Sequence, residues 1–141
     1  MAAKKEGVEY KVLNALICED ARKDLNRKDI LIGVYSGNIS VKKFPAALSI
    51  VVWMNLLVEG LGSRVIEVRI IGPNKKPLIA GDLNIDKKEP NKNDTISTST
   101  PHALFTLDEP GTLRFQIKTP AGRWKDVVTK EVIHRPEADI K

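Results

Sequence analysis

Residues 113–118 read Leu-Arg-Phe-Gln-Ile-Lys, a strict alternation of apolar and polar side chains. Successive side chains of an extended strand point to opposite faces, so this alternation predicts one face packed on a core and one face in water. Pro110-Gly111 precedes the segment, and residues 119–122 (Thr-Pro-Ala-Gly) follow it before the chain continues from Trp124 to Ile133. Turn residues between such segments are typical of antiparallel strands with one buried face.

The same kind of pattern extends outward over most of the chain. Even-numbered residues from 48 to 58 form the longest apolar face, and their β-branched neighbours favour a strand over the competing helix. Residues 29–36 are apolar on both faces, which predicts a central strand, and residues 37–43 are expected to be a connection. The further predicted strands cover residues 10–18, 64–71, 78–85, 95–100, 105–107 and 124–133.

The charged segment of residues 19–28 separates the first two predicted strands. A short helix is one interpretation, but Asn26-Arg27 also suits a tight turn because Asn tolerates positive φ. We favour the turn, which makes the first two strands a hairpin.

These elements predict an all-β fold, an antiparallel two-sheet β-sandwich of about eight strands, immunoglobulin-like or jelly-roll-like. A closed barrel is the alternative, since it also removes exposed strand edges. The expected organisation is a single domain over residues 9–135, with flexible tails at residues 1–8 and 136–141.

Composition restricts the class of protein. The chain has 141 residues, of which 42% are hydrophobic and 29% charged, as expected for one globular domain. No apolar run approaches the roughly 18 residues of a membrane helix, and no signal peptide is recognised at the start. The single cysteine, Cys18, excludes an internal disulfide and is predicted to be buried and inert. These features favour a cytoplasmic location and no membrane association.

The charge distribution argues against nucleic acid as a partner. The net charge is +5, but the basic residues are scattered in pairs along the chain rather than gathered in one segment. Nucleic-acid binders usually concentrate basic residues in a patch, often with aromatic side chains for stacking. Nucleic-acid binding is therefore unlikely on the sequence.

No set of residues suggests catalysis. The chain has two histidines and one cysteine without metal-ligand spacing, and it lacks the nucleophile-elbow, P-loop and dinucleotide glycine patterns. His102 and His134 are interpreted as surface histidines, and Glu19, Asp20 and Asp24 as a solvated acidic turn. We expect no enzyme activity, no catalytic residues and no cofactor.

One segment faintly resembles a calcium loop. Residues 82–86 read Asp-Leu-Asn-Ile-Asp, but the sixth position is Lys87 instead of glycine, and the twelfth is Asn93 instead of glutamate. Asp82, Asp86 and Asp94 are therefore only weak calcium candidates, and no metal site is expected.

Aromatic residues mark the most plausible partner surface. Trp53 beside Tyr35, and separately Trp124, are the candidates, because such residues dominate interface hot spots. The favoured function is a non-enzymatic module that binds a protein partner, contributes to an assembly or forms a homo-oligomer. The alternatives are a small-ligand or carbohydrate-binding sandwich, which requires an exposed tryptophan in a concave face, and a weak nucleic-acid binder.

Three segments carry a family resemblance: residues 15–22 (ALICEDAR), 30–39 (ILIGVYSGNI) and 44–46 (FPA). Together they resemble a family of small, uncharacterised bacterial β-sandwich proteins, a domain of unknown function. The resemblance implies a β-fold and a bacterial origin, and it supplies no catalytic residues. The chain departs from the family at Arg27, where glycine often follows the Asn of the first turn.

Overall fold

The computed structural model describes residues 8–60, 62–87 and 94–136. These residues form ten strands and a 3-10 turn at Pro73–Lys75. The strands are β1 (Glu9–Lys23), β2 (Asp29–Val34), β3 (Ile39–Val41), β4 (Ala46–Glu59), β5 (Gly62–Ile71), β6 (Pro77–Lys87), β7 (Asp94–Ser99), β8 (Ala103–Leu107), β9 (Gly111–Lys118) and β10 (Trp124–His134).

The strands form two sheets. The first has the order β2-β1-β4-β7, with β8 pairing a different part of β4, and the second has the order β3-β10-β9-β5-β6. This confirms the predicted all-β, two-sheet class. The described part of the chain has ten strands rather than about eight, and β3 runs parallel to β10, so an entirely antiparallel arrangement was wrong.

A single hydrophobic core lies between the sheets. The even-numbered residues of β4 from Ile50 to Val58 are buried, and they pack with Leu113, Phe115 and Ile117 of β9. Both faces predicted from period-two alternation are thus confirmed. Burial of each large apolar side chain contributes roughly 1.5–3 kcal/mol relative to exposure, so these two strands supply much of the drive for the sheets to associate.

Strand β1 continues through half of the charged segment and forms a hairpin with β2. The Asp24 carboxylate accepts hydrogen bonds from the backbone N–H groups of Asn26 and Lys28, both at 2.8 Å, and Arg27 adopts a φ of 66°. The predicted tight turn is confirmed, and the short helix is wrong. The Asp24 carboxylate stabilises the turn by accepting hydrogen bonds from its backbone N–H groups.

Two expectations for the neighbouring segments were wrong. Residues 37–43 contain strand β3, which is only three residues long and is specified by its pairing with β10 rather than by a local pattern. Strand β2 is not central: within the described residues it pairs only with β1. A central position in the sheet therefore does not explain why both faces of β2 are apolar.

The link between β7 and β8 follows the edge of β4. Thr100 binds Val52 twice: its N–H donates to the Val52 carbonyl at 3.0 Å, and its hydroxyl oxygen accepts the Val52 N–H at 3.0 Å. Pro101 then ends the first of the two strands, as predicted. The chain can therefore leave β4 at His102 and pair with it again from Ala103.

The start of the described chain is anchored in the core. Val8 is fully buried, and Arg64 Nη1 donates a hydrogen bond to its carbonyl at 3.0 Å. The Tyr10 hydroxyl donates to the Lys118 carbonyl and so links β1 to the second sheet. The predicted tails at residues 1–8 and 136–141, apart from Val8 and Pro136, and most of the polar loop before Asp94 lie outside the described residues.

Candidate partner-binding surface

The β1–β2 hairpin presents an apolar face to solvent. Its ladder pairs Cys18 with Val34 and Asp20 with Ile32, so the even-numbered residues of both strands share one side. We call the four large apolar residues of this side the hairpin face. They are Leu16, Ile30, Ile32 and Val34, with 39%, 43%, 41% and 41% of their surface exposed.

Gly33 interrupts the free edge of β2. Its φ is +66°, a left-handed conformation that favours glycine, and the ladder to β1 skips this residue. A Cβ at this position would lie 2.3 Å from Glu19 Oε1. An irregularity of this kind hinders the addition of another strand at the edge, so the available surface is the hairpin face.

Charged groups border the hairpin face. Arg22 Nε donates to Asp20 Oδ2 at 2.7 Å, and His102 Nε2 lies 3.3 Å from Asp20 Oδ1. The hydrogen bond from Arg22 is the main cause of a lowered pKa at Asp20. The predicted acidic cluster is divided between two roles, because Asp20 contacts Arg22 and His102 while Asp24 accepts the hydrogen bonds of the turn.

The hairpin curls so that its tip reaches strand β7. Lys23 Nζ lies 2.7 Å from Asp29 Oδ1 and 3.2 Å from Ser97 Oγ. Partial burial opposes ionisation of Asp29, but the Lys23 ammonium, the Ser97 hydroxyl and the nearby Trp53 indole outweigh it and lower the pKa of this carboxyl group. These polar contacts fix the hairpin tip relative to β7.

Trp53 and Tyr35 do not form the single aromatic surface that the sequence suggested. Trp53 pairs with Leu16 on one side and Ser99 on the other, so it lies on the outer side of the first sheet. Tyr35 packs against the core between the sheets. The Trp53 Nε1 atom is buried and has no partner within hydrogen-bond geometry among the described residues, although the indole is close enough to lower the pKa of Asp29.

Cys18 is buried, as predicted. It is fully inaccessible, and burial raises the pKa of its thiol. A buried thiol with a raised pKa is a poor nucleophile at neutral pH.

Trp124 lies on the second sheet, away from Trp53. The Arg69 guanidinium lies over its ring at 4.0 Å from the centroid, and Lys118 Nζ lies at 5.6 Å. This arrangement covers one face of the indole with cations, an interaction of about 0.5–2 kcal/mol. That ring face is occupied by the chain's own side chains.

A polar network extends from Arg69 across the outer side of β5, β9 and β10. Arg69 Nε donates to Gln116 Oε1 at 2.8 Å, Gln116 Nε2 to Asp126 Oδ1 at 2.7 Å, and Arg114 Nη1 to Asp126 Oδ2 at 2.9 Å. This network was not expected from the sequence, although the polar side chains of residues 113–118 indicated where it lies. A groove of about 680 Å³ passes over it, but its charged groups are largely paired with one another.

The weak calcium candidates lie on β6. Asp82 and Asp86 are exposed, Asp82 pairs with Glu67 in the ladder, and Asp86 Oδ1 accepts a hydrogen bond from Ser63 Oγ at 2.9 Å. The side chain of Asp94 lies outside the described residues. Within the described chain, no group of three His, Cys, Asp or Glu residues is arranged to hold a metal ion.

The two histidines make different contacts. His102 pairs with Asp20, whereas His134 Nε2 lies 2.8 Å from the Lys42 carbonyl and its ring lies 6.2 Å from that of Phe44. They sit at the β7–β8 link and at the end of β10 respectively. In the part of the chain that is described, no helix is long and apolar enough to cross a bilayer.

Comparisons with known proteins supply no family. No protein-family model matches the sequence, and no curated protein matches it significantly. Among solved structures, the chain is similar to a β-glucosidase from Listeria innocua in complex with glucose, with a TM-score of 0.45 and 12% sequence identity. The match covers 89% of this chain and 16% of the glucosidase chain, and a likeness at this level carries no argument about fold or function.

Proposed function

We propose that this protein is a non-enzymatic β-sandwich module that binds a partner protein through the hairpin face. The observation that supports this function is an apolar strip left about two-fifths exposed on β2. The segment from Ile30 to Val34 contains no charged residue. Exposed edge strands usually carry charges or proline, which prevent unwanted association.

The second sheet provides an internal contrast. The solvent side of β9 carries Thr112, Arg114, Gln116 and Lys118, all of which are polar. The hairpin face occupies a comparable solvent side but carries isoleucine, leucine and valine, next to Asp20 and Arg22. A group of exposed large apolar side chains on one hairpin is typical of an interaction site.

The surroundings of the patch indicate the chemistry of the partner. Interfaces commonly have an apolar centre and a polar rim, and here Asp20, Arg22 and Asp29 lie at the rim. Covering the remaining exposed area of each hairpin-face side chain would contribute about 1 kcal/mol. We therefore expect a partner with an apolar surface of its own rather than a nucleic acid or another highly charged molecule.

We also infer an immunoglobulin-like rather than a jelly-roll-like arrangement. The order β10-β9-β5-β6 matches the G-F-C-C′ order of immunoglobulin variable domains, and β4 beside β8 matches the B–E pair. Such folds commonly serve as interaction modules, although the fold alone does not determine a partner. We further propose that the protein is related to small bacterial β-sandwich proteins and that it is cytoplasmic.

An Ile32→Asp variant tests the proposal. Ile32 is exposed, and the substitution places a charge in the centre of the hairpin face, opposite Asp20 in the ladder, so circular dichroism first checks that the variant is folded. The matched control is Val65→Asp, at a 56% exposed β-branched residue on the second sheet. Affinity capture from native lysate should recover a defined protein with the unmodified chain and the control, but not with Ile32→Asp.

The captured protein must then bind the purified chain directly. Equal recovery with both variants would overturn the assignment of the surface. A chain that stays monomeric and alone in native lysate would overturn the function itself. Self-association abolished by Ile32→Asp would show that the hairpin face contacts a second copy and would replace the partner-protein proposal.

A further inference from the structure

The inner face of β6 lacks one side chain. Gly81 pairs with the buried Val68, and Ile79 and Leu83 flank it on the same side of the strand. A Cβ at Gly81 would meet no atom within 4 Å, and its φ is outside the left-handed region. Neither the backbone nor packing within the described chain therefore requires glycine here.

A cavity of about 180 Å³ lies beside Gly81 between the two sheets, and it is open to solvent on the side of Gly81, which is itself exposed. Its floor is formed by Val68, Ile70 and Phe115 of the core, and the chain from Thr100 to Ala103 forms the opposite wall. Asp82 and His102 also line it, and both are exposed residues at its mouth. The site therefore combines an apolar interior with a polar entrance.

We propose that this cavity binds a small apolar ligand of about the size of one aromatic ring. An enclosed apolar cavity of roughly 150 Å³ accepts benzene, so the volume here suits a single ring held against the apolar lining with one side open to solvent. Glycine within a strand often marks a place where a ligand approaches closely. A bound ring would occupy the space beside Gly81 and contact Phe115 and Val68.

The lining also restricts the chemistry of the ligand. The floor residues carry no polar side-chain atom, so a charged group would be buried there without a partner, which is costly. A polar substituent would have to remain at the mouth, where Asp82 and His102 stand. The ligand class is therefore a neutral aromatic or compact aliphatic group with any polar atom at one end.

This site is separate from the surface of the proposed function. No residue of the hairpin face lines the cavity, although His102 at the cavity mouth contacts Asp20 at the rim of that face. Failure of one proposal therefore does not affect the other.

Titration with benzene and with indole, followed by ¹H–¹⁵N correlation spectra, tests the inference. Saturable shifts should be confined to the amides of β6, the 100–103 segment and the residues around Phe115. The Gly81→Leu variant should weaken binding at least tenfold, because leucine would fill the cavity without backbone strain. Gly37→Leu is the matched control: this glycine also has open space around it and no positive φ, but it lies outside the cavity. This control should bind like the unmodified chain.

Gly81→Ala provides a second variant in case leucine prevents folding, and it should weaken binding by a smaller factor. Absence of saturable shifts with both probes would overturn the proposal and identify the cavity as a packing defect. Unchanged affinity in a folded Gly81→Leu variant would overturn it as well.

Discussion

At the residue scale, Gly33 and Cys18 show what a single position contributes to the hairpin. Gly33 is needed for its left-handed backbone and for the close approach of the Glu19 side chain. Cys18 pairs with Val51 and Val34 and is completely buried, although it lies on the same side of β1 as Leu16. The apolar surroundings of Cys18 predicted its burial, whereas nothing local predicted the positive φ of Gly33.

Gly33→Ala should lower the free energy of unfolding by about 1–2 kcal/mol. A side chain in the left-handed region costs this amount, and the Glu19 carboxylate would also have to move. Gly37→Ala is the control, with no positive φ and no neighbour within 4 Å of the new Cβ. Urea unfolding of both variants checks the prediction, and equal effects would contradict this role for Gly33.

At the scale of elements, the alternating strands were predictable and the partner-dependent ones were not. The buried faces of β4 and β9 follow directly from period-two patterns, and the Asn26-Arg27 turn follows from its polar residues. Strand β3 has three residues and owes its conformation to the parallel pairing with β10. Strand β2 looked central because it is apolar on both faces, a pattern that burial and a binding surface both produce.

The hairpin should lose stability in acid through Asp29. Its folded-state pKa is lowered, so its contribution is present above the unfolded-state value of about 4 and is lost as pH falls through the folded-state pKa. Asp29→Asn should therefore destabilise the protein at pH 7 by up to about 1 kcal/mol and have little effect at pH 2. Urea unfolding of the variant and the unmodified chain at both pH values measures this difference.

Asp82→Asn is the control for that comparison, because it removes an exposed carboxylate from the other sheet. It should not reproduce the pH-dependent difference. A loss of stability in Asp29→Asn that is as large at pH 2 as at pH 7 would show that the carboxylate charge is not the cause.

At the scale of the whole molecule, the two sheets differ in the surface they present to solvent. The outer side of the second sheet is polar around β9, where the Arg69, Gln116 and Asp126 side chains bind one another. The hairpin of the first sheet presents Ile30, Ile32 and Val34. The sequence directed attention to tryptophans as partner residues, but one face of Trp124 is covered by Arg69, and Trp53 is partly buried beneath the hairpin tip.

The most direct test of the partner-binding function is the dissociation constant for the captured partner, measured by calorimetry with the unmodified chain, Ile32→Asp and Val65→Asp. Ile32→Asp should bind at least tenfold more weakly, equivalent to about 1.4 kcal/mol, because it loses apolar contact and buries a charge. Val65→Asp should bind within twofold of the unmodified chain. Equal dissociation constants for all three folded proteins would contradict the hairpin face as the binding surface.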